Sequence, residues 1–353
     1  MKAKELLLET HCFAWDEGAV CKEIADFFYP VSVVEKENIL KICREIQING
    51  ITTIATDLPV PTISYVAEQL GLTANSFESS LICTNKWMMR RALQESGTRV
   101  PLFFHSDNFS QNSIEKLKFP LIVKPTDRSG SRGVSKIDSE EDFALALNYA
   151  IENSIEKKAI IEEFIHGSEV SVETISWKGD HYVIAVTDKV TTGAPFFVEI
   201  AHHQPSQISD TLLVEIKKVT FNALNILGVK FGASHTELKI DSNGDIYVIE
   251  VGGRMGGDFI GSHLVNLSTG YDYVKGCIEV ALGEFTPPKI EKSQFSGVFF
   301  LCDETRQLLP FFEKENHFDY IKESQSCDLR KVTNSNDRSG YLIYQSDSKI
   351  ELF

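Results

Sequence analysis

The spacing of apolar residues predicts alternating helices and strands at the start of the chain. Ile39 to Ile48 has apolar residues at helical spacing, and the short run Ile51 to Thr56 is typical of a buried strand. A break at Asp57 precedes a second helix, Ile63 to Leu70. This alternation favours a parallel, Rossmann-like sheet. Because the chain opens on a helical pattern without a glycine-rich first strand, we expect this domain to be truncated.

The pattern changes after residue 84. A helix is expected from Asn85 to Ser96, and a long amphipathic helix from Leu212 to Leu227, with strands before and between them. After Pro287 the pattern becomes short strands and turns, typical of a small β-rich subdomain. We therefore expect an α/β fold with three parts: a Rossmann-like domain at 1–84, a central α+β catalytic domain at 85–286 and a β subdomain at 287–353.

Charge and composition exclude several classes of function. The 353 residues carry a formal net charge of −15, so a nucleic-acid backbone is not an expected partner. Apolar runs are all shorter than a membrane span, so no membrane association is expected. The seven cysteines form no CxxC pair and no zinc-like spacing with histidine, which favours reduced thiols and a cytoplasmic location.

Two glutamates are predicted to meet across a hairpin. Asn243-Gly244 is a preferred two-residue turn, and such a turn places Glu237 directly opposite Glu250 on one face. Like charges on directly opposed residues destabilise a hairpin unless a cation lies between them. Carboxylate oxygens are ligands that suit Mg²⁺. The simpler alternative is that both acids point into water. Arg254 follows within Gly252-Gly-Arg-Met-Gly-Gly, where a phosphate could be contacted bidentately.

Two further segments could contact a nucleotide. Lys124 ends a predicted strand and is followed by a Gly/Ser loop, Ser129 to Val134, whose backbone amides and hydroxyls could hold phosphates. The P-loop and dinucleotide-binding patterns are both absent. The second segment is an apolar strand that ends in Glu162 and Glu163, with Glu169 shortly after. Read alone, the first is as often a flexible turn, and the second more often a solvated strand end.

In this order, the three elements resemble the ATP-grasp superfamily over roughly residues 85–283. The resemblance implies ATP and Mg²⁺ as cofactors, with Mn²⁺ as an alternative ion. It implies that Glu237 and Glu250 bind the metal and that Arg254 and Lys124 are catalytic. The implied nucleotide contacts are Lys86, Lys124, Ser129, Gly130, Ser131, Gly133, Val134, Glu162, Glu163, Phe164, Ile165 and Glu169.

Within the superfamily, His235-Thr-Glu237 and the Gly-Gly-Arg254 motif look most like L-amino acid ligases and carbamoyl-phosphate-synthase-like members. Residues 336–341 resemble the closing β subdomain of carboxylase and amino-acid-ligase members. One departure is Gly252, where the family commonly has an asparagine two residues after the second metal glutamate.

The resemblance implies a carboxylate–amine ligase that forms ADP through an acyl phosphate, acting on ATP, a small carboxylate and an amine. His202 and His203 are candidates for orienting the acceptor or taking its proton, although packed loop histidines are the simpler interpretation. Phe196, Phe197, Asp258 and His263 are weaker candidates. Alternatives are a bicarbonate-using or purine-pathway relative and a non-catalytic ATP-binding module. A homodimer is expected only by analogy.

Overall fold

A computed structural model describes residues 1–108, 116–290, 294–313, 321–324 and 329–352. Within those ranges, no helix combines the length and apolar character needed to span a bilayer. Cys327 and parts of the predicted β subdomain lie outside the described residues.

The helices follow the predicted apolar periodicities closely. The predicted helix at 39–48 is observed at Lys36–Ile46, and the one at 63–70 ends at Gly71, which has a positive φ of 67°. The α-helices span Lys2–Glu5, Lys36–Ile46, Val60–Leu70, Phe77–Thr84, Lys86–Glu95, Phe143–Asn153, Asp210–Ile226, Val265–Thr269, Tyr273–Ala281 and Leu309–Glu313. A π-helical turn covers Ile260–Leu264, and 3₁₀ turns cover Ser106–Asn108, Glu140–Asp142, Asp303–Leu308 and Ser335–Asp337.

The N-terminal segment contains one small parallel sheet, formed by β1 (His11–Phe13) and β2 (Phe27–Tyr29). The strand predicted over residues 51–56 was wrong, because this stretch joins no ladder. Its apolar character has another cause: Ile54 packs against a buried cluster that includes Met255, and the Ile54 carbonyl accepts a hydrogen bond from the Met255 amide at 3.1 Å.

A four-stranded antiparallel sheet follows, packed against the helix Phe143–Asn153. Its spatial order is β3-β6-β4-β5, so the strand that carries Lys124 lies beside the strand that carries Glu162. The strands are β3 (Phe103–His105), β4 (Leu121–Pro125), β5 (Ser135–Ile137) and β6 (Ala159–Glu163).

The larger sheet has eight antiparallel strands in the order β11-β10-β7-β8-β9-β12-β14-β13. They are β7 (Ser168–Trp177), β8 (Asp180–Thr191), β9 (Glu199–Gln204), β10 (Gly232–Ile240), β11 (Ile246–Gly252), β12 (Phe295–Leu301), β13 (Ile321–Ser324) and β14 (Gly340–Ser346). One apolar cluster lies under the helix Asp210–Ile226 and another under Tyr273–Ala281.

The C-terminal strands continue this sheet instead of forming a sheet of their own. Strand β12 pairs with β9 on one side and with β14 on the other. This pairing brings the segment around Arg338 close to β9 and to the loop after β11. The division into 1–84, 85–286 and 287–353 remains a prediction.

Candidate active site

Glu237 and Glu250 face each other across β10 and β11, as the sequence predicts. The turn differs from the prediction, however. Leu238 pairs with Val248, so the ladder near the turn is one residue out of the expected register, and an extra residue, Ile249, corrects it before Glu250. The Ile249 carbonyl accepts a hydrogen bond from the Arg90 guanidinium at 2.6 Å.

A buried charge network connects the two sheets. Glu162 is only 2% exposed, and its two carboxylate oxygens contact Arg90 Nε at 2.5 Å and Lys124 Nζ at 2.6 Å. Burial raises the pKa of Glu162, but Arg90 and Lys124 outweigh burial and lower it to about 2. Burial also lowers the pKa of Lys124, against the opposing effect of Glu162. The Glu162 side chain therefore fixes the positions of Arg90 and Lys124.

Lys86 is the cation beside Glu250. Its Nζ lies 2.9 Å from a Glu250 oxygen and donates to the Arg128 carbonyl at 2.7 Å. Asn85 caps the helix Lys86–Glu95 by accepting from the Met88 amide, so the lysine stands at the first position of a well-anchored helix. The side chain thus links a predicted metal ligand to Arg128, the residue before the Gly/Ser loop.

Lys189 is the cation beside Glu237, and the sequence reasoning missed it. Its buried ammonium contacts Glu237 at 2.7 Å, Glu169 at 2.8 Å and Glu199 at 3.4 Å. Burial lowers the pKa of Lys189, but the three carboxylates outweigh that effect and raise it well above its ordinary value. The three acids come from β7, β9 and β10, so only tertiary structure could reveal their shared partner.

His235 forms a second contact to Glu237. One imidazole nitrogen bonds the fully buried Glu173, and the other lies 3.3 Å from Glu237. Burial lowers the pKa of His235, but Glu173 and then Glu237 raise it to about 9 overall. Glu173 also accepts from the Gly256 amide at 2.8 Å. The same acid therefore holds both the histidine and the glycine-rich loop.

Arg254 is held by an aspartate from the N-terminal segment. Its guanidinium donates to Asp57 at 2.7 Å, and Asp57 raises its pKa despite burial. The departure at Gly252 has a steric explanation. A Cβ there would lie 2.9 Å from Asp57 Oδ1 and 3.1 Å from Arg254 Cζ. The ion pair occupies the space that a side chain at 252 would require.

The Gly/Ser loop lies within the connection from β4 to β5 and turns tightly. Gly130, Ser131 and Gly133 have φ of 69°, 56° and 75°. A Cβ at Gly133 would approach Asn153 Cβ at 2.7 Å and Pro125 Cγ at 2.8 Å, so glycine is needed there. The loop predicted to contact phosphates, Ser129 to Val134, is therefore a sterically constrained turn. It directly follows Arg128, whose carbonyl accepts a hydrogen bond from Lys86.

The second segment predicted to contact the nucleotide, Glu162 to Ile165, has its acidic side chains bound to other parts of the protein. The Glu163 carboxylate accepts from the Lys118 amide at 2.9 Å, and that of Glu162 lies in the buried network. The Phe164 ring lies 5.5 Å from the Phe197 ring and beneath the Lys239 ammonium. The side chains of Glu162 and Glu163 are thus engaged within the protein, and the nucleotide contacts of Phe164 and Ile165 stay predictions.

His202 and His203 occupy opposite faces of β9. The His203 ring bonds the Tyr344 hydroxyl at 2.8 Å, and burial lowers its pKa to about 3. It is a satisfied core residue apart from the charged cluster. His202 Nε2 lies 3.8 Å from Asp258, on the side of the Arg254 loop. His263 bonds its neighbour Ser262 and stands outside the cluster.

The charged groups suit Mg²⁺ bound together with phosphates. In the described ranges, no three His, Cys, Asp or Glu side chains form a metal cage by themselves. Mg²⁺ in proteins is usually coordinated by one or two carboxylates, and phosphate oxygens and water complete its coordination shell. Glu237 and Glu250 could supply the two carboxylates. The surrounding cations supply the counter-charge that a triphosphate requires; they are Lys86, Lys124, Lys189 and Arg254.

Comparison with known proteins decides the family of this region. The family model for the ATP-grasp domain matches residues 117–262. These residues form an ATP-grasp domain. The match covers the loop after Lys124, both Glu237 and Glu250, and Arg254, whereas Lys86 and Asp57 lie before it.

The solved structures agree on the ATP-grasp fold. A crystal structure of L-amino acid ligase from Bacillus licheniformis has a TM-score of 0.81 at 23% identity, over 98% of this chain and 89% of that chain. The biotin carboxylase domain of 2-oxoglutarate carboxylase from Hydrogenobacter thermophilus, crystallised with MgADP, ADP and bicarbonate, has a TM-score of 0.75 at 18% identity, over 98% and 82% of the two chains. At these identities, the likeness establishes the fold.

Curated relatives of the ATP-grasp region include ligases. Alanine–anticapsin ligase of Bacillus subtilis is 26% identical over 275 residues, which cover 67% of this chain and 57% of the relative. D-alanine–D-alanine ligase of Flavobacterium johnsoniae is 28% identical over 196 residues, 52% of this chain and 59% of the relative. The alignment thus spans less than two thirds of each relative.

Proposed function

We propose that this protein is an ATP-dependent carboxylate–amine ligase that forms ADP through an acyl phosphate. One observation carries the proposal: within an ATP-grasp domain, Glu237 and Glu250 are paired across a hairpin, and each touches a different buried lysine. Like-charged carboxylates at paired positions are costly, and in this structure Lys86 and Lys189 offset that cost. The same groups offer carboxylate oxygens for Mg²⁺ and ammonium groups for phosphates, which is the combination that a Mg·ATP site needs. The ligase names among its relatives support the same reaction class.

The residues act by position and charge. Mg²⁺, when bound, would neutralise phosphate charge between Glu237 and Glu250. Lys86 and Lys124 would hold the phosphates, and Arg254 would contact the oxygens of the transferred group. Asp57 fixes the direction of Arg254, and the Gly/Ser loop would cover the phosphates and exclude water.

Both steps conserve atoms and electrons. A carboxylate oxygen bonds the γ-phosphorus while the bridging bond to ADP breaks, which gives ADP and an acyl phosphate. The amine nitrogen then bonds the acyl carbon, and inorganic phosphate leaves with the electrons of the broken C–O bond. The ammonium gives up two protons, one before attack and one afterwards. The amide is the product.

ADP release tests the proposal. Purified protein with Mg·ATP is offered the twenty amino acids, singly and in pairs, with and without bicarbonate. We expect release that depends on particular amino acids and is independent of bicarbonate. Release that needs bicarbonate alone would favour the carboxylase-like alternative, and no release despite Mg·ATP binding would favour a non-catalytic module.

Matched variants localise the activity. Glu250→Gln removes a charge from the predicted metal pair and is expected to lower turnover at least 100-fold. Glu215→Gln, at an exposed residue of the helix Asp210–Ile226, provides the control. Equal activity in the two variants would contradict the assignment of Glu250.

A further inference from the structure

The buried ammonium group of Lys189 lies at the point where three carboxylates converge. It contacts Glu237 at 2.7 Å, Glu169 at 2.8 Å and Glu199 at 3.4 Å. Three acids that share one buried position need a positive charge there, because an uncompensated buried charge is strongly destabilising. Lys189 supplies that charge from β8, within the protein itself.

The ammonium and the acids differ in exposure. The Lys189 side chain is 4% exposed, whereas the side chains of Glu169, Glu199 and Glu237 are 21%, 19% and 23% exposed. A cavity of about 440 Å³ borders Glu169, Lys189 and Lys239. A ligand can therefore reach the acids from solvent, while the ammonium stays covered.

Each glutamate predicted to bind the metal has one oxygen engaged by a cationic side chain. In Glu237, Oε1 accepts hydrogen bonds from Lys189 at 2.7 Å and from His235 at 3.3 Å. In Glu250, Oε1 accepts the bond from Lys86 at 2.9 Å. A divalent ion on the second oxygen would share each carboxylate with an ammonium group, and charges of the same sign repel strongly at such short range in a buried site.

Lys239 adds positive charge on the same side of the site. Its Nζ lies 3.7 Å from Glu169 and 5.1 Å from the centre of the Phe164 ring. Glu169 is thus shared by two ammonium groups, so it has little negative charge to offer a metal ion.

Resting on the proposed ligase function, we propose that Lys189 makes metal binding at Glu237 depend on the nucleotide. Its ammonium competes with a free divalent ion for the same carboxylates, so the ion alone binds weakly. A polyphosphate that enters with the ion brings the negative charge that both cations need, and it thereby removes the competition. Lys189 is then the residue that distinguishes a metal–nucleotide complex from the free metal ion.

The test measures metal binding without any turnover. Mn²⁺ is titrated into the full chain without nucleotide, and the free ion is followed by electron paramagnetic resonance. We expect Lys189→Met to bind Mn²⁺ at least tenfold more tightly than the wild type, because three carboxylates then lack their cation. The control is Lys178→Met, at an exposed turn of the same hairpin, which should match the wild type.

A double variant, Lys189→Met with Glu199→Gln, is measured alongside the single one. It removes one buried acid together with the ammonium, so a smaller excess of negative charge opposes folding. It too should bind Mn²⁺ more tightly than the wild type, through Glu169 and Glu237. Added Mn²⁺ should also raise the unfolding midpoint of both variants more than that of the wild type, since a ligand of the folded state stabilises it.

Calorimetric titration of ADP distinguishes the two proposals. The wild type should bind ADP at least tenfold more tightly in Mn²⁺ than in EDTA. Equal affinities would show that no metal–nucleotide site exists, and both the proposed function and the role of Lys189 would fail. If the wild type shows the difference but neither Lys189 variant binds free Mn²⁺ more tightly than the wild type, the role proposed for Lys189 is overturned and the proposed function stands.

Discussion

Glu237 and Glu250 pair across β10 and β11 because two one-residue irregularities compensate for each other. Asp241 closes a loop one residue longer than the Asn243-Gly244 turn: its side chain accepts from the amides of Asn243 and Asp245, both at 2.9 Å. The bulge in β11 then restores the register before Glu250. The predicted pairing was right, although the turn that led to it was wrong.

Glu162 is predicted to contribute strongly to the free energy of unfolding. Glu162→Gln leaves Arg90 and Lys124 buried without a counter-charge, and loss of one partner from a buried network costs about 3–5 kcal/mol. Chemical denaturation of the variant measures the loss. Glu163→Gln, one residue along the same strand, lacks an ion pair among the described contacts and should cost less than about 1 kcal/mol. Similar losses in both variants would contradict this interpretation of the network.

Lys189 is predicted to be needed for nucleotide affinity as well as stability. Lys189→Met leaves the carboxylates of Glu169, Glu199 and Glu237 close together without a cation. We expect ATP affinity in Mg²⁺ to fall at least tenfold, measured by calorimetry, with a lower unfolding midpoint. Lys178→Met, at an exposed turn on the same hairpin, is the control. Unchanged ATP affinity in Lys189→Met would remove Lys189 from the site.

The limits of sequence-based prediction follow from where the partners of each residue lie. Motifs close in sequence could be identified, such as the Gly/Ser loop after Lys124 and the glycines around Arg254. The partners of Lys189 could not, because they are brought together by three strands separated in sequence. Asp57 was interpreted as a break between elements, since a loop aspartate gives no sign of a partner 197 residues away.

The ion pair between Asp57 and Arg254 is predicted to be the reason why position 252 is glycine and not the asparagine common in the family. Gly252→Ala places a Cβ against Asp57 Oδ1 and Arg254 Cζ, and should cost about 1–3 kcal/mol of unfolding free energy. In an Asp57→Ala background, the cost should fall below about 1 kcal/mol, because the obstructing oxygen is gone and Arg254 is no longer held against the Cβ by Asp57. Urea denaturation of the four proteins completes the cycle. Additive effects would show that Asp57 does not set the requirement for glycine.

His203 should make stability depend on pH. Its pKa is about 3 in the folded protein, against an ordinary value of 6.5, so below pH 6.5 the unfolded chain takes up a proton that the folded protein refuses. Stability attributable to His203 is therefore present above pH 6.5 and lost as pH falls towards 3. Between about pH 7 and pH 5 the wild type should lose about 2 kcal/mol more than His203→Gln. Parallel losses in urea denaturation would contradict this.

The most direct test of the acyl-phosphate mechanism follows the carboxylate oxygen. The amino acid that ADP release identifies as the activated carboxylate is labelled with ¹⁸O in that group, and the inorganic phosphate is analysed by mass spectrometry after turnover. Phosphoryl transfer to the carboxylate predicts one ¹⁸O atom in each phosphate released, in step with ADP. Phosphate that carries no ¹⁸O while the amide accumulates would contradict the proposed function at its central step.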